Sequence, residues 1–155
     1  MKAMVLEGFG GPESFVLADI PDPEPGPGEV LIEVRASSVN PVDYKIRDGR
    51  VGFLVERLPA VLHPDSAGII AAVGEGVRDF SPDDRVYAFA NGLGGKPGAL
   101  AERMTVDARM VAPMPSGLDF EQAAALPLVS VTAWFALVHA ASVKAGDTVL
   151  VMGGT

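Results

Sequence analysis

Short runs of alternating apolar and polar residues occupy the first two thirds of the chain. Val30, Ile32 and Val34 recur at every second position, which is the period of a strand with one buried face. Comparable runs, separated by turns rich in Gly, Pro and Asp, cover residues 2–9, 14–20, 66–73, 85–90, 99–106 and 110–113. Many short strands at close spacing predict a mainly β fold, a closed or partly open barrel with short helices.

Helix signals replace strand signals near residue 115. Asp119, with Gln122 three residues later, is a typical helix start, because each side chain can bond the backbone N–H of the other. Pro127 favours the first turn of a second helix, and the apolar residues that continue to about Ser142 predict that this helix is buried.

The last residues suggest a second domain. Residues 148–152 form an uninterrupted apolar run, which is typical of a strand buried on both faces of a parallel sheet. Two glycines follow, as in the turns that precede phosphate-binding helices. We therefore divide the chain into a β-rich domain, residues 1–118, and a segment, residues 119–155, that supplies connecting helices and the first strand of an incomplete dinucleotide-binding domain.

Composition and charge exclude several classes of protein. Hydrophobic residues make up 48% of the chain and charged residues 21%, as in ordinary globular domains. The net charge of −8, without a cluster of Lys or Arg, argues against a nucleic-acid partner. Cysteine is absent, so disulfides and thiolate metal ligands are excluded. No signal-peptide or membrane-spanning pattern is visible, and we expect a cytoplasmic protein without a membrane partner.

Four segments carry a family resemblance. They are SVNPVDYKIRDG at 38–49, DSAGIIAAVGEGV at 65–77, GALAE at 98–102 and AAALPLVSVTAW at 123–134. Taken together and in this order, they resemble the medium-chain dehydrogenase/reductase superfamily, and within it the zinc-independent quinone oxidoreductases of the ζ-crystallin-like branch.

The resemblance implies both a fold and an activity. The fold is a GroES-like barrel followed by a Rossmann domain, whose first strand would be residues 148–152. Members of the family transfer hydride from a nicotinamide cofactor, usually NADPH, to quinones or to the alkene of α,β-unsaturated carbonyls. NADPH is therefore the expected cofactor and a small quinone or enone the expected substrate. We also expect a homo-oligomer.

The resemblance further implies that the protein works without zinc. In zinc-dependent alcohol dehydrogenases of the superfamily, three side chains hold the catalytic metal, and the matching positions here are Asn40, Pro64 and Leu128. None of them supplies the Cys or His ligands that such a site uses. Without a metal, the charge that develops on a carbonyl oxygen needs hydrogen-bond donors or water.

Particular residues inherit roles from the matching motifs. Asn40 sits where the family lines the nicotinamide pocket, so its amide is the candidate catalytic group, orienting either the cofactor or the substrate carbonyl. The full set of candidate cofactor contacts is Asn40, Lys45, Thr132 and Gly154, and the candidate substrate-pocket residues are Tyr44 and Phe53.

Asn40 and Thr132 also have a purely structural interpretation. Asn40, Pro41 and Asp43 form a good helix start on their own, with Asn40 as the N-cap. The hydroxyl of Thr132 can bond to its own preceding helical turn.

Other features of the chain are better explained without a ligand. His63 and Asp65 resemble half of a metal site, but a third ligand is missing. Trp134 and Phe135 are better explained as packing residues than as a platform for substrate.

Two other functions remain open on this sequence. A stand-alone GroES-like interaction module would need no catalysis. An enoyl-reductase domain of a larger synthase would use the same motifs as a quinone oxidoreductase.

Overall fold

Two antiparallel sheets form the body of the computed structural model, which describes residues 1–93 and 95–153. The smaller sheet pairs β1 (Lys2–Leu6) with β2 (Phe15–Asp19). The larger sheet has the strand order β6-β3-β4-β5-β7. Its strands are β3 (Glu29–Ser37), β4 (Asp65–Val73), β5 (Arg85–Phe89), β6 (Arg103–Asp107) and β7 (Val111–Pro113).

Short helices connect and flank the strands. The α-helices are α1 (Pro41–Arg47), α2 (Phe120–Ala124) and α3 (Pro127–Trp134), and α3 continues as a π-helical turn over Phe135–Ala140. Single 3₁₀ turns cover Pro12–Ser14, Gly52–Leu54 and Ala108–Met110. Asp119 and Gln122 exchange side-chain-to-backbone hydrogen bonds of 2.8 and 3.2 Å, so the predicted capping box at the start of α2 is confirmed.

The main core lies on one face of the larger sheet. Val30 and Ile32 are fully buried and Val34 packs against them, so the period-two interpretation of this strand is confirmed. They meet Ile70 of β4 and Met104 of β6. Burial of branched side chains from three paired strands is the main stabilising contribution expected for a fold of this kind.

The two sheets approach each other without closing a ring of hydrogen bonds. Isolated bridges join Ala3 to Ala101 and Leu6 to Ala60. Across the described part of the chain, no continuous ladder links the smaller sheet to the larger one. The architecture is therefore mainly β and partly open, in agreement with the predicted fold class.

One predicted strand is shorter than expected, and another is absent. The run 99–106 contributes a strand only from Arg103, because residues before it form just the single bridge at Ala101. Residues 148–152, predicted as a buried parallel strand, are not a strand, and Leu150 is 82% and Met152 85% exposed. A strand needs a neighbour for its backbone N–H and C=O groups, and the described residues provide none beside this run.

The expectation of one buried helix to Ser142 was also wrong. Of the residues in α3, only Pro127 is buried, while Trp134 and Phe135 are 63% and 64% exposed. The packing role expected for these two aromatic residues is therefore not met within the described residues. Among these residues, no helix is long and apolar enough to cross a membrane.

Gly68 lies where the backbones of β3 and β4 are close together. A Cβ at this position would overlap the Glu33 carbonyl oxygen and lie 2.8 Å from Cγ2 of Ile32. We expect Gly68→Ala to lower the free energy of unfolding by about 3 kcal/mol, because backbone atoms of β3 would have to move. Urea denaturation followed by circular dichroism measures this change.

Gly117 provides the matched control, since a Cβ there would meet no atom within 4 Å. Gly117→Ala should change the free energy of unfolding by less than about 1 kcal/mol. Equal effects of the two substitutions would contradict the steric account of Gly68.

The exposed apolar surface of α3 and its π-helical extension predicts self-association. Val131, Trp134 and Val138 are 52%, 63% and 43% exposed in the isolated chain. Apolar patches of this kind favour association. We expect the weight-average mass in sedimentation experiments to rise with concentration, and the double substitution Trp134→Glu with Val138→Glu to suppress that rise. Leu17→Ser, on the smaller sheet, is the control and should leave the association unchanged.

Candidate cofactor-binding groove

Asn40 stands at the junction between β3 and α1. Its backbone is extended (φ −113°, ψ 159°), and Pro41 begins the helix. The Asp43 carboxylate accepts a hydrogen bond of 2.6 Å from the backbone N–H of Asn40. Gly49, with φ of +84°, follows the end of the helix. The predicted helix start is therefore confirmed, and Asp43 fixes the backbone of Asn40.

The side chain of Asn40 takes part in the capping box of α1, where it accepts from the backbone N–H of Asp43, and it also reaches Asp65. The amide nitrogen Nδ2 of Asn40 donates to Oδ2 of Asp65 at 2.9 Å and lies 3.3 Å from the hydroxyl oxygen of Ser38. Asn40 is only 4% exposed, so the amide has little freedom to rotate.

Asp65 is the centre of this network and is completely buried. Its Oδ2 atom also accepts a hydrogen bond of 2.8 Å from the Ser38 hydroxyl, and its Oδ1 atom accepts one of 2.9 Å from the backbone N–H of Leu128. A buried carboxylate is tolerated when hydrogen bonds of this kind satisfy it. One side chain at the start of β4 thus holds together the loop before α1 and the first turn of α3.

Asp65 also acts as the cap that the N-terminus of α3 lacks in its own sequence. Leu126, the residue before the helix, provides no side-chain cap. The carboxylate of Asp65 accepts from one of the first N–H groups of α3 and places negative charge at the positive end of the helix. The direction in which α3 leaves the β domain therefore depends on Asp65.

An open groove of about 460 Å³ lies between the N-terminus of α1 and one face of α3. It is lined by Asn40, Pro41, Val42, Leu128, Val129, Thr132, Ala133 and Ala136. The groove has apolar walls and two polar side chains, Asn40 and Thr132. These are two of the residues predicted to contact the cofactor, and the fold brings them to one place.

The structural interpretation of Thr132 is also observed. Its hydroxyl donates a hydrogen bond of 2.8 Å to the carbonyl oxygen of Leu128, one turn earlier in α3. The hydrogen of the hydroxyl is therefore used within the helix, while the oxygen keeps its lone pairs for a ligand.

The other predicted site residues do not line this groove. Lys45 is half-buried on α1, and Tyr44 is 41% exposed with the Arg50 guanidinium 5.7 Å from its ring centroid. Phe53 lies on the 3₁₀ turn and is 82% exposed. Gly154 lies outside the described residues. The structure thus brings Asn40 and Thr132 together but not Lys45, Tyr44 or Phe53.

The three positions that match the zinc ligands of the zinc-dependent enzymes lie together around Asp65. Asn40 and Leu128 meet at Asp65, and Pro64 precedes it, so the three matching positions surround a hydrogen-bonded carboxylate. Nδ1 of His63 lies 3.2 Å from the hydroxyl of Ser37, so His63 and Asp65 have different partners. Over residues 1–93 and 95–153, no group of three or more His, Cys, Asp or Glu is arranged to hold a metal ion.

Burial shifts the pKa of two groups beside the network. It raises the pKa of the Asp43 carboxyl to about 6, with a smaller contribution from the charge of Asp65, although the Asn40 N–H favours the ionised form. Burial also lowers the pKa of the His63 imidazole to about 4, so this ring is neutral at pH 7.

These pKa shifts predict opposite pH dependences. The stabilising contribution of His63 is complete above pH 6.5 and is lost as the pH falls toward 4. The contribution of Asp43 is complete below pH 3.8 and is lost as the pH rises through 6. Relative to the wild type, Asp43→Asn should lose stability on acidification from pH 6 to 4, and His63→Asn should gain it.

Urea denaturation at several pH values between 4 and 7 tests this expectation. His63 has a φ of +70°, a backbone conformation that Asn tolerates, so His63→Asn changes the titration with little added strain. Stability curves of the two variants that run parallel to that of the wild type would show that neither pKa is shifted.

Comparisons with known proteins identify the family of the chain. A sequence profile described as "Alcohol dehydrogenase GroES-like domain" matches residues 26–116. The chain belongs to this family. Its larger sheet and α1 lie entirely within the matched residues.

Similar curated proteins include oxidoreductases and a synthase. The chain is 41% identical over 156 residues to a quinone oxidoreductase of Rattus norvegicus, a match that covers 100% of this chain and 46% of the relative. It is 41% identical over 147 residues to the phthioceranic/hydroxyphthioceranic acid synthase of Mycobacterium tuberculosis, covering 94% of this chain and 7% of that protein. The chain thus spans about half the length of the quinone oxidoreductase.

Similar solved structures show the same fold. An alcohol dehydrogenase superfamily protein from Novosphingobium aromaticivorans superimposes with a TM-score of 0.90 at 44% identity, covering 95% of this chain and 44% of that one. The quinone oxidoreductase of Escherichia coli in complex with NADPH gives a TM-score of 0.79 at 30% identity, covering 88% and 40%. The resemblance to medium-chain quinone oxidoreductases is therefore confirmed.

Asp65 is the residue whose importance the sequence did not reveal. The sequence analysis assigns it to a family motif and to half of a metal site but to no hydrogen-bond network, whereas in the structure it bonds Asn40 and Leu128. The available signal was a carboxylate beginning an otherwise apolar strand, since a charge in such a position must be paired.

Proposed function

We propose that this chain is the N-terminal, GroES-like part of a zinc-free oxidoreductase that transfers hydride from NADPH to a quinone or an α,β-unsaturated carbonyl compound. The observation that carries the proposal is the groove in which Asn40 and Thr132 come together. The family resemblance assigns both positions to the nicotinamide end of the cofactor. The similarity to quinone oxidoreductases supports the reaction type.

The shape and chemistry of the groove suit a nicotinamide ring. Val42, Val129 and Ala133 provide apolar walls for a flat ring, and the two polar side chains provide fixed hydrogen-bonding points. When bound, the reduced nicotinamide supplies the hydride. The contribution of this chain is to bind and orient the ring, and such positioning accounts for a large part of the rate in reactions of this type.

The same network supports a reaction without zinc. The carboxylate of Asp65 is used by Asn40, Ser38 and Leu128, at the place where related alcohol dehydrogenases bind metal. A chelator should therefore leave the activity of the complete protein unchanged. Zinc bound in equal molar amount, together with oxidation of simple alcohols, would contradict this part of the proposal.

Binding of the whole cofactor requires more than this groove. A dinucleotide pyrophosphate is held at a glycine-rich turn before a helix N-terminus. Gly154, one of the two glycines expected to begin such a turn, lies outside the described residues. The curated quinone oxidoreductase is about twice as long as this chain. We therefore propose that the 155 residues alone do not oxidise NADPH.

Thr132→Val tests the role of the groove in the complete protein. The substitution keeps the size of the side chain and removes its oxygen, and we expect kcat/KM with NADPH and a quinone to fall about tenfold. Ser130→Ala, on the same helix but outside the groove, is the matched control and should retain full activity. Equal activity of the two variants would exclude Thr132 from the site.

A second candidate function is that of an enoyl-reductase domain in a larger synthase. The similarity to the mycobacterial synthase favours it. Assays with an enoyl thioester and with a simple quinone, under the same conditions, distinguish the two functions. Activity restricted to the thioester would favour the synthase, and activity toward neither substrate would favour a non-catalytic interaction module.

The proposal also covers the cellular compartment, the oligomeric state and the binding partners. We expect a cytoplasmic homo-oligomer that acts on a small molecule. The acidic net charge of −8 argues against binding to nucleic acids.

A further inference from the structure

The connection between β5 and β6 contains the only Asn-Gly pair of the chain, Asn91 followed by Gly92. In such a pair the backbone nitrogen of the glycine can attack the side-chain amide of the asparagine, because glycine has no Cβ to obstruct the approach. The chain has one other asparagine, Asn40, and the nitrogen of Pro41 after it carries no hydrogen and cannot attack. Asn91 is therefore the one asparagine of this chain that is open to cyclisation.

The reaction of this pair is a deamidation that consumes only water. The nitrogen of Gly92 forms a bond to Cγ of Asn91, and the bond from Cγ to Nδ2 breaks. Nδ2 leaves as ammonia and takes the proton of the Gly92 N–H with it. The cyclic imide then adds one water molecule. Hydrolysis at one carbonyl gives aspartate, and hydrolysis at the other gives isoaspartate, in which the backbone runs through the side-chain carbons.

The native structure uses both nitrogens of this reaction in hydrogen bonds. Nδ2 of Asn91 donates to the carbonyl oxygen of Thr105 in β6 at 2.5 Å. The backbone N–H of Gly92 donates to the carbonyl oxygen of Lys96 at 3.3 Å. The nitrogen of Gly92 must give up its proton to react, and Nδ2 must leave the residue. Both hydrogen bonds therefore oppose cyclisation as long as they are present.

Packing against His63 also restrains the pair. Gly92 is buried with a φ of +86°, and a Cβ at this position would lie 2.9 Å from backbone atoms of His63. Ring closure brings Cγ of Asn91 to bonding distance of the Gly92 nitrogen, which requires the chain to rotate at these two residues. Close packing leaves little room for that rotation until this part of the connection is released.

We propose that Asn91 is a deamidation site that the fold keeps closed and that local release of the connection between β5 and β6 opens. The product in turn weakens the structure that protected the residue. Aspartate has no side-chain N–H for the carbonyl oxygen of Thr105 and brings a negative charge next to it. Isoaspartate also adds a backbone atom between residues 91 and 92, which displaces Gly92 from His63. The modification is thus an irreversible mark of chains that have opened at this place.

Mass spectrometry of the aged chain measures the reaction. Deamidation replaces NH₂ by OH, so the mass rises, and peptide mapping locates the change and separates aspartate from isoaspartate. At neutral pH, the folded chain should deamidate at least about tenfold more slowly than the chain unfolded in guanidinium chloride, because only opened molecules react. Equal rates in the two conditions would overturn the proposed protection. Absence of deamidation in the unfolded chain would overturn the assignment of the site.

Asn91→Ser identifies the reacting residue, because it removes the amide and leaves the glycine in place. The increase in mass should disappear in this variant, and an increase of unchanged size would overturn the assignment to Asn91. Asp48 also precedes a glycine, but it forms the same imide by losing water and regains water on hydrolysis. Isomerisation at Asp48 therefore leaves the mass of the chain unchanged and does not interfere.

Two lysine variants test whether local release controls the rate. The ammonium group of Lys96 forms an ion pair with Glu29, which ties the connection to the start of β3. Lys96→Ala removes this ion pair without changing the reacting pair, and the folded variant should deamidate about threefold faster. Lys2→Ala is the matched control, because Lys2 pairs with Asp19 at 2.6 Å within the smaller sheet. It should keep the wild-type rate. Equal rates for the two variants would overturn control by local release.

Asn91→Asp reproduces the aspartate product and tests its effect on the fold. The midpoint of urea denaturation should shift to a lower urea concentration than that of Asn91→Ser, which also lacks the amide but adds no charge. A midpoint equal to or above that of Asn91→Ser would overturn the proposed weakening of the structure by the product.

Discussion

The arrangement of this protein depends on a single buried carboxylate. Asp65 accepts hydrogen bonds from Ser38, Asn40 and Leu128, which belong to the loop before α1 and to the start of α3. A buried charge without partners is strongly unfavourable, so the fold that surrounds Asp65 must supply all three donors at once. The same requirement holds the N-terminus of α1 beside α3, and these two elements form the sides of the groove.

Asn40 is held from two directions by two different acids. Asp43 bonds its backbone N–H and Asp65 bonds its side-chain amide. Fixing both parts of one residue lowers its conformational entropy. This entropy is lost when the protein folds, so it is not lost again when a ligand binds. Rigid placement of this kind is what a reaction that depends on geometry requires, since small displacements of the reacting groups lower the rate steeply.

Local signals in the sequence predicted the parts of the fold that depend on neighbouring residues. The alternation at Val30 and Ile32 and the helix start at Asn40 are of this kind, and both are present in the structure. The partners of Asp65 lie up to 63 residues away along the chain, so no local pattern could reveal them. The prediction of a strand at residues 148–152 was wrong for the same reason. A strand depends on a neighbour that is distant in sequence and not only on its own composition.

The candidate site itself was only half predictable, and the reason is chemical. The family resemblance assigned Asn40 and Thr132 to one site, but it could not say which groups of the protein each side chain would bond. In the structure, the Asn40 amide bonds Asp65 and Ser38, and the Thr132 hydroxyl bonds the carbonyl oxygen of Leu128. Asp65 is 25 residues from Asn40 along the chain, so only the folded arrangement of β4 and the loop before α1 brings this carboxylate to the amide.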